Sequence, residues 1–386
     1  MTDPRDSAFV STPPGLPARI GYSAREFLRS AYHWNRKRRF VESLRKLPPV
    51  SSGGGIRLNC GGSPCGPAKP IIGGQVKLIH LREEFPEHYP DFNLLYLVSS
   101  APPTYAVELA RESKRRGCKV VLNQNGVAYR SWCGDYFPWF NAPLRELLLL
   151  ADYVIYQSAF CKAYADRYLS PTDVPSRILL NPVDLEKFSP AEEPLPGVPL
   201  RLLAAGTSHH FYRVRSVLDC LAVLRTRGVP AELTIAGAFY WKNGGHDVRA
   251  AIEERKLAQW VKILPAFTQE QAPATYRSAH ILIHSKYKDP CPTVPIEAMA
   301  SGLPVVASRS GGMPELVPEN AGKLVVVPDD DNCDHAPDPV LMADAVELVA
   351  SDLAGYSSAA RRHAESVFSK ETWLRAHRGV FESLIP

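Results

Sequence analysis

Two carboxylates eight positions apart have the residue types and spacing that most directly suggest chemistry. Asp289 stands in a polar loop, and Glu297 follows in a segment with the composition of a helix start. Pro295 is favoured in the first positions of a helix, with Thr293 or Val294 preceding it, which would place Glu297 in the first turn. Unpaired N–H groups at a helix start bind phosphate, and carboxylates accept hydrogen bonds from hydroxyl groups. The pair therefore predicts a site for a small polyhydroxylated ligand.

Each carboxylate also has a simpler interpretation. Glu297 could only stabilise the helix dipole, and Asp289 could be an ordinary turn residue. The residues that follow favour ligand binding, because a predicted strand over 304–308 leads into a glycine pair, Gly311 and Gly312. Acid, helix, strand and glycine turn in this order form a coherent site.

Composition limits the classes of protein to consider. The chain has 386 residues, which predicts about two domains. Hydrophobic residues make up 45% and charged residues 22%, as in globular proteins with large cores. The net charge of +5 is too small to indicate nucleic acid, but it suits anionic substrates or an anionic membrane surface.

Cysteine usage and hydropathy indicate a compartment. The chain has eight cysteines and no CxxC pair, so neither a zinc site nor a disulfide framework is expected. Scattered cysteines are typical of a reducing cytosol. The first residues have no basic start followed by an apolar core, and no run of 18 apolar residues occurs. These features predict a cytoplasmic protein that does not span a membrane.

Strand and helix patterns alternate from residue 56 onward, which predicts parallel sheets with right-handed crossovers. A Pro-rich and acidic stretch over 185–200 divides the alternation into two halves, so we expect a cleft between two open sheets. Ligands of such sheets bind outside the carboxyl ends of the strands. The predicted segments are a tail and basic helix (1–50), a first domain (51–190), a second domain (191–370) and a C-terminal helix that crosses back to the first domain (371–386).

The helix predicted over 22–47 is strongly basic. It contains eight Lys or Arg residues against two Glu residues, and Phe27, Leu28 and Tyr32 share one face. A basic amphipathic helix can lie on anionic lipid, so peripheral membrane contact is one hypothesis. The alternative is an ordinary helix packed on the first domain.

The region that starts at Asp289 resembles a known signature. The spacing D-x7-E followed by AMASGLPVVASRSGGMPELV resembles glycosyltransferase family 4, whose members have the GT-B fold. The resemblance implies an α/β protein with two Rossmann-like domains whose parallel sheets face a cleft. In that family the first acid and nearby amides contact the donor sugar, and the second acid binds ribose. By position these roles fall to Asp289 and Glu297, with Thr293 and Val294 as amide donors.

Two departures from the family pattern affect the sugar contacts. Asp289 stands where the family usually has Glu, which shortens the reach by one methylene. Pro290 and Pro292 occupy positions where glycine is common, and proline has no N–H to donate. The resemblance extends over about residues 120–380, is loose over 56–119 and is poor over 1–55.

The start of the second domain resembles the family's diphosphate site. Gly206 matches its turn glycine, and Arg213 matches its diphosphate-binding lysine after a one-residue insertion. A guanidinium can hold a diphosphate through two hydrogen bonds. Arg215 is the alternative cation, and Arg213 could instead be a solvated residue at a helix start. His209 and His210 could add a phosphate contact or be exposed loop residues.

In the first domain, Gly73 and Gly74 resemble the family's glycine turn at a helix start, although a plain loop is equally compatible. The strand end carries Asn123, Gln124 and Asn125 where the family often has His close to the transferred sugar. Amides cannot act as a general base at neutral pH. Retaining transfer in this family is usually described as front-face, assisted by the donor phosphate, so Asn125 is predicted to orient the sugar.

The resemblance therefore implies a retaining glycosyltransferase. The donor would be a nucleotide diphosphate sugar with UDP or GDP, and the acceptor a hydroxyl group on a glycan, lipid-linked or small molecule, as in cell-envelope polysaccharide synthesis. A nucleotide-sugar epimerase of the same fold and a degenerate nucleotide-sugar-binding protein remain alternatives. We expect no cofactor, no nucleic-acid partner and no metal. Asp329, Asp330 and Asp331 have the pattern of a solvated loop, and loops over 60–75 and 126–142 should set the acceptor.

Overall fold

The computed structural model describes residues 24–50, 53–62, 73–193 and 195–385, with side chains from Asn35 onward. The tail predicted over 1–20 and much of the loop predicted over 60–75 lie outside these residues. Within the described part, two domains each contain one parallel sheet, so the predicted alternation and strand direction are confirmed.

The first-domain sheet has five described strands in chain order. They are β1 (Leu58–Asn59), β2 (Leu94–Val98), β3 (Lys119–Gln124), β4 (Tyr153–Tyr156) and β5 (Ser176–Ile178). Every residue of β2 is buried, because both faces of the sheet are covered. The fully exposed β5 forms one edge.

Helices cover the first-domain sheet. They are α1 (Ala24–Arg45), α2 (Gly73–Glu84), α3 (Ala106–Arg115), α4 (Arg130–Cys133), α5 (Phe137–Leu150) and α6 (Ala159–Tyr168). The prediction of a loop over 126–142 is wrong, since α4, a single 3₁₀ turn and the start of α5 occupy most of it. Pro138 lies at the start of α5, where proline favours helix initiation, and aromatic contacts such as Trp132 with Phe140 hold this region together.

The second-domain sheet reverses its strand order. Its strands are β6 (Leu200–Ala205), β7 (Ala231–Ala236), β8 (Val261–Leu264), β9 (Ile281–His284), β10 (Val305–Arg309) and β11 (Gly322–Val326). The order is β11-β10-β9-β6-β7-β8, so β6 and β9 are neighbours in the sheet although β7 and β8 lie between them along the chain. A crevice at such a switch point is the expected ligand site of a doubly wound sheet. The strand β11 was not predicted.

The remaining helices surround the second sheet and end the chain. They are α7 (Phe211–Thr226), α8 (Gly244–Glu254), α9 (Ala272–Arg277), α10 (Thr293–Ala300), α11 (Met313–Leu316), α12 (Pro339–Ser351), α13 (Leu353–Val367) and α14 (Lys370–Leu384). The helix α8 ends at Glu254. Lys256 has a φ of +55°, a left-handed conformation that an α-helix does not continue through.

The chain passes between the domains at two adjacent points. Val183 donates its N–H to Phe368 (2.8 Å) and accepts one from Lys370 (3.1 Å). Lys370 also pairs with Asp184 at 2.7 Å. Beyond this crossing, α14 inserts Trp373, Val380 and Phe381 into the first-domain core beside α2. The last helix of the chain is therefore part of the first domain's hydrophobic core.

The basic helix α1 packs on α3. Leu44 is buried, and Arg45 pairs with Glu112 at 3.1 Å. Lys37 of α1 forms an ion pair with Glu108, which also lies in α3. The C-terminal half of α1 thus has the packing of an ordinary first-domain helix, while the apolar residues proposed for a membrane face lie before the described side chains. Among the described residues, no helix combines the length and the apolar character needed to cross a bilayer.

Candidate functional site

The switch point brings three of the predicted site residues together. Gly206 directly follows β6 and has a φ of +94°, which favours glycine. A Cβ added to Gly206 would lie 3.2 Å from Val294 at the start of α10. Ser285, directly after β9, donates its hydroxyl to the backbone carbonyl of Arg213 at 2.8 Å. The ends of β6 and β9 and the starts of α7 and α10 therefore surround one point.

Arg213 lies in the first turn of α7 with its guanidinium directed inward. One terminal nitrogen donates to the carbonyl of Thr207 at 2.6 Å, and Nε is shielded from solvent without a hydrogen-bond partner among the described residues. Burial lowers the pKa of Arg213, against the opposing charge of Asp289. Arg215 is exposed. Arg213 is thus the cation that faces the switch point, with hydrogen-bonding capacity left for an anion.

Further cationic groups lie beside Arg213. Burial, followed by the charges of Lys286 and Arg213, lowers the pKa of His209, so these groups share one positive region. The ring of His209 stacks on Tyr240 with 5.4 Å between ring centroids. His210 precedes α7 and makes no side-chain cap. A positive region at the start of a 16-residue helix is suited to phosphate.

Asp289 is buried, and both its oxygens are engaged. Oδ2 lies 3.0 Å from Nε2 of His284, and Oδ1 accepts from Lys286 at 2.9 Å. Burial opposes ionisation of Asp289, but the charge of Lys286 and the His284 hydrogen bond outweigh it and hold the pKa of Asp289 well below its usual range. A sugar hydroxyl would therefore meet an ionised carboxylate whose orientation is set by two basic neighbours.

The glycine pair sets the position of the Asp289 loop. The N–H of Gly312 donates to the carbonyl of Asp289 at 2.9 Å. A Cβ on Gly312 would lie 2.0 Å from the carbonyl oxygen of Pro290, and one on Gly311 would lie 2.5 Å from that of Asp289. Two glycines are needed because the turn after β10 packs directly on the backbone that carries the first acid.

Gly312→Ala is expected to destabilise the protein by about 1–3 kcal/mol, the range for overpacking a site whose neighbours cannot withdraw. The clash is with backbone, so no side-chain rotamer relieves it. Urea unfolding curves of the variant and parent protein measure the change. Gly379→Ala is the matched control, because Gly379 lies within α14 with no atom within 4 Å of an added Cβ. The control should match or exceed the parent stability; equal losses in both variants would refute the clash.

The start of α10 differs from the prediction. The helix begins at Thr293, so Pro295 is its third residue and Glu297 lies in the second turn, not the first. Proline is tolerated there because the first N–H groups of a helix have no partner within it. With proline at positions 292 and 295, Thr293 and Val294 are the amide donors free at this helix start.

Glu297 is buried beneath the start of α10. Its Oε2 accepts from the hydroxyl of Tyr276 at 2.7 Å, and its Oε1 accepts from Gln269 at 3.0 Å. Burial raises the pKa of Glu297, and these two hydrogen bonds partly offset that increase. Both oxygens keep further acceptor capacity, so they can still receive hydroxyl groups from a ligand.

The first domain contributes the opposite wall of this cleft. A Cβ on Gly73, the first residue of α2, would lie 3.5 Å from the side chain of Thr293, so the starts of α2 and α10 face each other. Gly126 packs on Pro290, and Ser158 donates its hydroxyl to the Pro290 carbonyl at 2.8 Å. Gly74 does not face the cleft, since an added Cβ would meet Ser100 at 2.5 Å. Its role is close packing of α2 on the sheet.

With this geometry established, sequence comparison identifies the second domain. Residues 187–336 match the family described as glycosyl transferases group 1. The second domain belongs to the group 1 glycosyltransferases. A curated relative is the D-inositol 3-phosphate glycosyltransferase of Arthrobacter sp. (strain FB24), 28% identical over 153 residues. The match covers 37% of this chain and 36% of the relative, so the chain spans about a third of that relative's length.

Structural comparison extends the likeness to both domains. HepE of Anabaena, solved with UDP and glucose, aligns with a TM-score of 0.64 and 16% identity over 85% of this chain and all of that one. Sucrose-phosphate synthase of Thermosynechococcus elongatus aligns with a TM-score of 0.60 and 19% identity over 81% of this chain and 77% of the other. The protein has the GT-B fold, as the resemblance implied.

The first domain holds a buried lysine that the sequence did not suggest. Lys77 of α2 is fully buried and donates to the side-chain oxygens of Asn123 (2.7 Å) and Asn125 (3.1 Å). Burial lowers its pKa to about 7. Gln157 also donates to Asn125. The amides found where His was expected thus surround a titratable amine, and Lys77 sets the orientation of Asn125.

The loop after β11 joins the domains, which corrects the prediction of a solvated acidic loop. Asp329 is exposed, but Asp331 is largely buried and accepts hydrogen bonds from Tyr164 and Tyr168 of α6. Asp331 also pairs with Lys288, the residue before Asp289. No composition signal separates a solvated Asp run from one that is neutralised by a distant lysine. The 460 Å³ hollow beside this loop is lined by residues such as Arg130 and Arg167, which already pair with Asp135 and Asp331.

Proposed function

We propose that this protein transfers a sugar from a nucleotide diphosphate sugar to a hydroxyl acceptor with retention of configuration. The observation that supports this most is the convergence at one switch point of an inward arginine, two helix starts and a buried carboxylate. The group 1 match of the same domain agrees with it. HepE was solved with UDP and glucose, so UDP sugars are the first donors to test.

Each group at the switch point suits one part of such a donor. Glu297 would accept hydrogen bonds from the ribose hydroxyls. Arg213 and the free N–H groups of Thr293 and Val294 would hold the diphosphate. In the transfer step the bond between the anomeric carbon and the diphosphate oxygen breaks, and negative charge accumulates on that oxygen. A fixed guanidinium beside it stabilises the transition state more than the ground state.

The sugar would lie between the domains, beside Asp289 and Asn125. The acceptor oxygen would attack the anomeric carbon from the face that the diphosphate leaves, and its proton would pass to a diphosphate oxygen. Asn125 cannot take that proton, and its part is to orient a sugar hydroxyl. On this scheme no metal or other cofactor takes part in the transfer.

Domain movement would accompany donor binding. The cavity lined by Gly206, Arg213 and Ser285 measures about 20 Å³, whereas pockets for drug-sized ligands measure about 300–1,000 Å³. The two domains touch across the cleft through the hydrogen bond from Ser158 to the Pro290 carbonyl. The cleft must therefore open before a nucleotide sugar binds, and closure afterwards would exclude water from the donor.

The acceptor would be a hydroxyl compound and could be lipid-linked, as in envelope polysaccharide synthesis at the inner face of a membrane. The C-terminal half of α1 carries Arg36 and Arg39 exposed to solvent, which would suit contact with anionic lipid. Deletion of residues 1–50 tests this contact through sedimentation with phosphatidylglycerol vesicles. Unchanged sedimentation after the deletion would exclude it.

Donor turnover tests the proposed function. Thermal unfolding with UDP, GDP and their sugars should show stabilisation by one nucleotide, and that donor should release free nucleotide slowly with water as acceptor and faster with suitable hydroxyl acceptors. Recovery of an epimerised sugar without transfer would indicate the epimerase alternative. Stabilisation without any release, across an acceptor panel, would indicate a binding protein. An absence of both stabilisation and release would contradict the proposal.

Glu297→Gln is expected to weaken nucleotide binding by about tenfold, because a charged acceptor of the ribose hydroxyls becomes a neutral amide. Calorimetric titration with the preferred nucleoside diphosphate measures the change. Glu319→Gln, at an exposed carboxylate of the same domain, is the control. The corresponding 2′,3′-dideoxynucleotide lacks the ribose hydroxyls, so the parent protein and Glu297→Gln should bind it with equal affinity. If Glu297→Gln weakened the binding of the nucleoside diphosphate and of its dideoxy analogue by the same factor, the assignment of Glu297 to the ribose would be wrong.

A further inference from the structure

A carboxylate, a thiol and an imidazole converge in the loop between β11 and α12. Oδ2 of Asp330 lies 2.9 Å from Sγ of Cys333 and 3.3 Å from Nε2 of His335. The distance between Sγ and Nε2 is 3.3 Å. All three residues lie within six positions of one loop, in the order D-x2-C-x-H. These are the oxygen, sulfur and nitrogen ligands that zinc uses in proteins.

The triangle formed by these atoms has the size of a metal site. A point equidistant from its corners lies about 1.8 Å from each atom. An ion displaced by about 1 Å from the plane would therefore reach all three at about 2.0–2.3 Å, the range of zinc bonds to oxygen, nitrogen and sulfur. Ligands around a tetrahedral zinc ion are separated by roughly 3.3–3.6 Å, so the loop needs to adjust by only a few tenths of an ångström.

The ligand atoms are held in place by contacts outside the triangle. Oδ1 of Asp330 accepts from the backbone N–H (2.8 Å) and the side-chain amide (2.9 Å) of Asn332, which leaves Oδ2 directed at the centre. The ring of Tyr287 packs edge-on against the imidazole of His335 at 5.5 Å. The hydroxyl of Tyr287 also accepts from the N–H of Asp330 at 2.7 Å. Second contacts of this kind orient ligands before the metal binds.

Hydrogen bonds can also join these three groups, since the thiol of Cys333 can donate to Oδ2 while its sulfur accepts Nε2–H of His335. A cation at the centre would replace these weak bonds with three attractive contacts to one ion.

We propose that Asp330, Cys333 and His335 bind one zinc ion, with water as the fourth ligand. Zinc is favoured over magnesium or calcium because the set includes sulfur and nitrogen. The intervening residues contact the first domain, where Ser131 donates its N–H to the Asp331 carbonyl (2.7 Å) and its hydroxyl to Asp334 (3.0 Å). The ion would stiffen the loop that joins the domains. This proposal concerns neither the transfer step nor its donor.

Cobalt titration tests the site. Metal-free protein kept reduced with a non-thiol reductant should bind Co²⁺ with a stoichiometry near one and develop a thiolate-to-cobalt charge-transfer band, which zinc then removes by displacement. Cys333→Ser should abolish the band, and His335→Asn should weaken cobalt binding at least tenfold. Cys333 is exposed and His335 is partly exposed, so the unfolding temperatures of both variants without metal should stay close to that of the parent.

Matched controls assign the signal to this loop. Cys133→Ser removes a partly buried thiol and His246→Asn an exposed imidazole, both outside the triangle, and neither should change the titration. The proposal would be overturned if the parent protein showed no charge-transfer band. It would equally be overturned if the band persisted in Cys333→Ser, since the thiolate ligand would then lie elsewhere.

Discussion

Arg213→Lys should lower the rate of donor turnover about 10²–10³-fold while the protein remains folded. The planar guanidinium donates to the Thr207 carbonyl and keeps a shielded Nε available, which is the geometry for holding a diphosphate. Lysine preserves the charge but not the paired donors. Removing one preorganised donor from a site where negative charge develops typically costs this factor in rate. Nucleotide release from the preferred donor, followed at saturating concentration, measures it.

Arg215→Lys is the matched control for this variant. Arg215 lies two residues later in the same helix, but it is exposed and faces away from the switch point. Its replacement should leave turnover within about twofold of the parent. Equal losses in both variants would show that general positive charge matters, whereas a loss confined to Arg215→Lys would assign the diphosphate contact to the alternative cation considered from the sequence. Unfolding temperatures of both variants exclude a loss by misfolding.

The architecture could be predicted from the sequence because it depends on periodic patterns. Buried strands such as β2 form continuous apolar runs, and helices such as α7 repeat apolar residues at helical spacing. The GT-B fold followed from this alternation together with the signature around Asp289. Less regular segments were not predicted. The strand β11 begins with Gly322 and Lys323 and ends at the exposed Val326, so its apolar run is shorter than that of β2.

The gathering of the site residues could be predicted only in part. Gly206, Arg213, Val294 and Asp289 surround one switch point, and Gly73 faces Thr293 across the cleft. The partners of these residues were not predictable, since the sequence separations involved carry no local signal. Nothing near Glu297 indicates that Tyr276 and Gln269 bond its two oxygens.

The buried lysine Lys77 is the largest feature of the structure that the sequence did not reveal. Lysine is almost never fully buried without a paired charge, so no feature of the sequence pointed to Lys77. In the structure its amine is bonded to amides of β3, and in the described part of the chain no carboxylate lies within 4 Å of it. The amides at the β3 end, considered from the sequence only as replacements for a family histidine, therefore solvate this amine. The titratable side chain in this region therefore comes from α2, and not from the end of β3, where the family often has His.

Lys77 makes the stability of the protein depend on pH. Its pKa falls from 10.5 to about 7 on folding. Between these values the unfolded chain holds a proton that the folded chain has released, so the free energy of unfolding should rise with pH across this window and be level below pH 7. The full contribution is on the order of 5 kcal/mol, since each unit of pKa corresponds to about 1.4 kcal/mol. Lys77→Met should remove this dependence.

Urea unfolding of the parent and of Lys77→Met from pH 6 to 10 measures the free energy of unfolding of each protein. Subtracting one free energy from the other at each pH cancels the contribution of the cysteines and tyrosines, which titrate in both proteins. The gap between Lys77→Met and the parent should shift by several kcal/mol in favour of the parent as pH rises. Lys242→Met, at an exposed lysine, should shift by less than 0.5 kcal/mol, the usual size of surface effects. A constant gap for Lys77→Met would show that the buried amine stays charged throughout, with the amides of Asn123 and Asn125 compensating its burial. The same titration thus decides whether folding lowers the proton affinity of the buried amine beside Asn123 and Asn125.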